Sequence, residues 1–267
     1  MKLKEMYTVC SDTLEHFIHT MPNVPFVADD IYIEFTTKKT AVERFKILCG
    51  QFAPDRPIND SHEYALENIT FANAIIGREK SAVLIKINYK LEKHNLRRIF
   101  FHELTHIYCG KTEIDGVHFI DVYGSGHTFD LDPVDKEYDG IINAGYRVWS
   151  EFIAEYYAEK MTGIYKYTFT DISDFVSELL EEIVIDNSES KVDFAMMSAY
   201  ILNCTDIREV LNLDFDMGLV DCLRFLYDHV QSDRPWKITE EFIYELGCKY
   251  ISFVVLNSVD LEQYEAN

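Results

Sequence analysis

Residues 102–106 read His-Glu-Leu-Thr-His, directly after the apolar run Leu96-Arg97-Arg98-Ile99-Phe100-Phe101. An α-helix advances about 100° per residue, so histidines four apart return to nearly the same face, one turn along, where both imidazoles reach one metal ion. Glu103 sits to the side of that pair, placed to take a proton from a zinc-bound water. The pentapeptide thus supplies two ligands, His102 and His106, and a general base, Glu103. The bland alternative is a helix carrying two satisfied histidines and a surface glutamate. Context favours the metal: Phe101 and Leu104 repeat at helical spacing, and Gly110 is the expected C-cap.

A catalytic zinc takes three protein ligands and keeps one open position, so two histidines are not enough. A third histidine six residues after the second is excluded, because that position is Thr112. A glutamate on a later helix is the other common solution, and the segment Trp149-Ser150-Glu151-Phe152-Ile153-Ala154-Glu155-Tyr156-Tyr157-Ala158 offers it. Glu151 and Glu155 share a face, and Ala154 and Ala158 are small enough to let this helix approach another closely. A buried carboxylate pair repels unless each meets positive charge. Zinc would supply it for Glu151, and an imidazole N–H for Glu155, which would then orient His102 and fix its tautomer. The alternative is that both glutamates face water on an acidic protein. Cys109, three residues past His106, is either a rival thiolate ligand or a buried spectator.

His102-Glu103-Leu104-Thr105-His106 followed by Glu-x-x-Ala-Glu-Tyr at 151–156 resembles the gluzincins, the thermolysin-like and aminopeptidase-like zinc peptidases. Ser150 stands where those families usually carry asparagine. The stretch from Ala82 to Gly110, a strand leading through Arg97-Arg98 into the metal helix, also resembles the ImmA-type metallopeptidases. The resemblance spans residues 82–160. It implies a zincin-like fold, Zn2+ as cofactor, a peptide or protein as substrate, and Glu103 as the base that passes a proton to the leaving amine. It also implies that strand 82–89 is an edge to which an extended peptide adds by main-chain hydrogen bonds. An oxyanion donor is required as well. Tyr146 and His127, the latter in the Gly124-Ser125-Gly126-His127 loop, are the two candidates.

The remaining patterns bound the fold. Helices are expected over 3–20 and 40–52, a strand over 31–35, and a hairpin from 69–76 and 82–89 around Gly77. Residues 111 to about 138, with Gly116, Gly124, Gly126 and Pro133, read as an extended loop. Helical periodicity then covers 141–162, 171–185, 189–203, 215–231 and 238–256, with breaks at Gly163, Asp186-Asn187-Ser188 and Arg234-Pro235. The expected class is α+β: an N-terminal lobe over 1–110 holding a small mixed sheet and ending in the metal helix, then a mainly helical lobe over 111–267 carrying the glutamate ligand.

Composition excludes several functions. A net charge of −21 argues against nucleic-acid binding, which needs clustered Lys and Arg. No apolar window is long enough to span a membrane, and Met1 to Met6 run into a polar amphipathic helix rather than a secretory signal. Six scattered cysteines without a C-x-x-C pair suit reduced thiols, and the expected location is cytoplasmic. The acidic run Asp130 to Asp135 lacks the ligand spacing of a calcium loop and is interrupted by Pro133. The rival functional reading is a binding or regulatory protein with a closed, non-catalytic zinc site, in which Cys109 or His118 fills the fourth position.

Overall fold

The computed structural model describes residues 1–56, 58, 60–68, 70–112, 133–163, 190–203, 217–233 and 235–265, the side chains at 60–62, 133–136, 190, 217 and 257–265 excepted. His118, His127 with its glycine loop, Asp130 to Asp132 and the helix expected over 171–185 lie outside the described residues. The described chain is mixed α and β, mostly helical, with one three-stranded sheet. It divides into two compact units, Met1–Ile114 and Asp115–Asn267.

In the first unit the elements run α1 (Leu3–Thr20), β1 (Ile31–Thr36), α2 (Ala41–Phe52), α3 (Asp60–Asn68), β2 (Ala72–Ile75), β3 (Ser81–Lys86) and α4 (Lys93–Lys111). The strand order is β1-β3-β2, with β3 parallel to β1 and antiparallel to β2. The expected hairpin forms. However, strand 82–89 is not an edge: its core, β3, is paired along both sides, and the strands at the margins are β1 and β2. Ala82, Val83, Leu84 and Ile85 are all buried, because helices cover both faces of a central strand.

Pairing assigns those faces. Ile75, Ala82 and Leu84 pack with Phe45, Leu48 and Cys49 of α2 and Leu66 of α3. Phe35 lies on the opposite face in register with Ile85 and meets Tyr7 of α1 edge-on, with ring centroids 4.7 Å apart. The unit is therefore layered: α2 and α3, then the sheet, then α1 and α4. Sequence periodicity did not single out α3, in which Leu66 is the buried aliphatic side chain among those described.

α4 is the longest helix of this unit and is fixed at both ends. Asn88 starts a turn after β3, its side-chain oxygen accepting the Lys90 amide at 3.0 Å, and that turn feeds the helix. Along its apolar face Phe101 and Tyr108 pack on Phe17 of α1, with centroids 4.7 and 5.9 Å away, and the Tyr108 hydroxyl donates to Pro22 O at 2.9 Å. Gly110 is not a C-cap. The helix runs through it to Lys111, whose ammonium donates to the Gly77, Arg78 and Glu79 carbonyls at 2.9, 3.1 and 2.9 Å. The last-turn carbonyls are taken up by Thr112 instead, whose amide and hydroxyl each donate to Tyr108 O at 2.8 Å, the hydroxyl also reaching Cys109 O at 3.3 Å. Gly77 tolerates no side chain in the β2–β3 turn, since a Cβ would fall 2.1 Å from Lys80 O and 2.3 Å from Phe52 O.

In the second unit the described helices are α5 (Pro133–Thr162), α6 (Ser190–Leu202), α7 (Met217–Val230) and α8 (Glu240–Glu265). α5 begins at Pro133, eight residues before the helical periodicity becomes visible, because proline suits a first helical position where no intrahelical amide bond is lost. Its end follows expectation: Gly163 adopts φ +62° and its amide bonds Glu159 O at 2.9 Å. α5 packs on α6 and α8, and α8 also packs on α7. The α5–α8 crossing is made by Gly145 and Gly247, where an added Cβ would lie 2.0 Å from Ile243 O and 2.1 Å from Ile141 O respectively. Among the described residues no helix is long and apolar enough to cross a membrane.

Candidate metal centre

The two histidines of α4 converge as their spacing requires. His102 Nε2 and His106 Nε2 lie 3.0 Å apart, their rings nearly perpendicular at 77°. Two nitrogens bound at about 2.0–2.1 Å to one tetrahedral zinc stand roughly 3.3 Å apart, so this pair fits a shared ion with Nε2 as the ligand atom of each. Glu151 completes the set: one ligand atom each from His102, His106 and Glu151 lie within 4.8 Å of one another. All three side chains are half-buried, which leaves them reachable while shielding them in part from competing water. Two imidazoles and a carboxylate form a donor set that can hold a metal ion.

The residues between the histidines are arranged to leave that face open. Leu104 and Thr105 are buried, and the Thr105 hydroxyl, which would otherwise be a stranded donor, bonds Phe101 O at 2.9 Å. Glu103 is 8% exposed and is engaged rather than free.

Glu155 is 1% exposed and Glu159, one turn further along α5, is 4% exposed, and each has a partner. The alternative in which Glu151 and Glu155 both face water is therefore overturned for Glu155. Glu159 extends the four-residue series by one position, a signal present in the sequence as Glu-x-x-x-Glu-x-x-x-Glu. Cys109 is buried, its thiol is pushed up to about 12 by that burial, and it does not join the ligand group. It is the spectator of the two possibilities.

Tyr146 is half-buried on α5, with its ring 6.3 Å from that of Trp149. It precedes Glu151 by five positions, which turns its Cβ about 140° from the glutamate's face of the helix. His127 and His118 are outside the described residues. Comparison with protein-family models, with curated proteins and with solved structures gives no match.

Proposed function

We propose that this chain is a zinc-dependent metallopeptidase of zincin-like architecture, with His102, His106 and Glu151 as ligands and Glu103 as general base. The observation that carries the reading is the convergence of those three ligand atoms beside a buried glutamate that follows the first histidine by one position. Of the two residues that could close the fourth position, Cys109 stays outside the group, which disfavours a site closed by that thiol, and His118 lies outside the described residues. The resemblance of the two segments to gluzincin motifs supports peptide rather than another hydrolysable substrate.

Bound zinc would supply Lewis-acid polarisation of a carbonyl and a water acidified to near neutrality. The chain's own residues do the rest. Glu103 holds the proton taken from the water and delivers it to the departing amine. Glu155 holds His102 so that Nε2 faces the ligand position, whereas Tyr146, turned away from the face of Glu151, is not assigned the oxyanion role. Strand β2, the sheet margin against which α4 packs, takes the role of docking edge first expected of strand 82–89.

The test is hydrolysis of a mixture of blocked peptides by zinc-loaded protein, followed as the appearance of free amines. Wild type is expected to release amines, and Glu103→Gln to keep its zinc while losing activity by about a hundredfold or more. Equal activity in the two proteins would overturn the mechanism.

A further inference from the structure

The side of β2 turned away from β3 carries a feature that the metal centre does not need. The Lys86 amide donates to Phe71 O at 2.9 Å, which makes 71 and 86 a hydrogen-bonded pair. Pairing then alternates, so 73–84 and 75–82 are bonded to each other, while Ala72 and Ala74 direct their N–H and C=O groups away from β3. Onto that margin comes Arg56, whose Nη1 donates to Ala74 O at 3.0 Å. Its guanidinium also lies over the Phe45 ring, 5.4 Å from the centroid, which holds the side chain against the sheet edge.

The chain carries 46 Asp and Glu against 25 Lys and Arg, yet among the described residues Arg56 forms no ion pair. A guanidinium has five N–H donors, and the bond to Ala74 uses one. The rest are oriented by the stacked ring and suit a planar, bidentate acceptor such as a carboxylate.

Its position along the edge matters. α4 starts after β3 and ends where Lys111 meets the β2–β3 turn, so it runs in the same direction as β2. From that turn Ala74 lies about 10 Å back along β2, at roughly 3.4 Å per residue. From Lys111, His106 and His102 lie about 7 to 14 Å back along α4, at 1.5 Å per residue. By these nominal lengths Ala74 is at about the height of the metal-binding pair along the strand direction, with Arg56 reaching the edge from the α2 side of the sheet and α4 on the other side.

Resting on the peptidase reading above, we infer that Arg56 is a specificity-determining residue: it pairs with a carboxylate side chain on an extended peptide added at the Ala72–Ala74 edge, close to the bond to be cleaved. The substrate class is then an extended peptide with Asp or Glu near the scissile bond. The second lone pair of Ala74 O stays available to the peptide's own amide.

The test uses zinc-loaded, full-length Glu103→Gln protein and fluorescein-labelled, end-blocked decapeptide mixtures of Ala, Val, Thr and Leu with a single central Glu or Gln. Anisotropy is expected to show about fivefold tighter binding of the Glu mixture. Adding Arg56→Met should bring that ratio to near one, and Arg56→Gln serves if the Met variant fails to fold. Equal binding of the two mixtures with Arg56 intact, or a Glu preference that persists without it, overturns the inference and leaves Arg56 a guard of a strand edge. Hydrolysis of the same mixtures by wild type separates the two ideas. An Arg56-dependent preference without hydrolysis removes only the peptidase reading, and hydrolysis with no such preference removes only this inference.

Discussion

α4 and α5 both present chemically active side chains at four-residue intervals, but they meet water in opposite ways. On α4, His102 and His106 are half-exposed, Glu103 between them is the one buried carboxylate, and Thr105, Tyr108 and Lys111 donate to main-chain carbonyls. On α5, Glu155 and Glu159 are driven almost wholly out of solvent. Neutral imidazoles tolerate partial burial cheaply, whereas a buried carboxylate is stable only with compensating charge or donors. α4 therefore carries one buried carboxylate among packing contacts and main-chain bonds, whereas α5 carries two a single turn apart, each of which calls for compensating charge or donors. Disturbing α4 away from the ligands should chiefly change stability, and disturbing the carboxylates of α5 should chiefly change metal affinity.

The comparison can be broken at several depths. The largest effect is expected within α4 itself, where Glu103→Gln should abolish hydrolysis by about a hundredfold or more without releasing zinc. Next comes α5: if Glu155 orients His102 as proposed, Glu155→Gln should weaken zinc binding by roughly ten- to a hundredfold in a chelator competition. Unchanged affinity there would remove Glu155 from the site. Gly145→Ala should destabilise the second unit by about 1 to 3 kcal/mol in urea unfolding, since the new methyl meets the α8 backbone at Ile243 O. The smallest effect belongs to the far end of α4. Lys111→Met should lower stability by about 1 kcal/mol, through three lost carbonyl contacts, with zinc affinity little changed. A large loss of zinc in that variant would mean that α4 depends on its far anchor rather than on packing.

Most of the ligand set was legible in the sequence because helical spacing is a local property. Two histidines four apart must share a face, and so must Glu151 and Glu155, whatever surrounds them. The sheet order was not legible in the same way. Whether strand 82–89 is central or marginal depends on β1, some fifty residues earlier, crossing over to pair in parallel with it. One local hint existed: Ala82-Val83-Leu84-Ile85 is continuously apolar, the mark of a strand covered on both faces, whereas attention to Val83, Ile85 and Ile87 alone suggests an alternating edge. Gly110 and Pro133 misled for a shared reason. Each is a strong local signal with two meanings, and the surrounding chain chooses between them: Thr112 closes the helix two positions beyond Gly110, and Pro133 opens a helix instead of interrupting a loop. Arg56 carried no sequence signal at all, since its meaning comes from the edge it reaches.

The central claim is that His102, His106 and Glu151 hold one metal ion. The most direct measurement is the zinc content of protein purified without added metal, compared between wild type and Glu151→Ala. The account predicts close to one equivalent in wild type and a large loss in the variant. Zinc absent from both proteins, or retained equally by both, would contradict it.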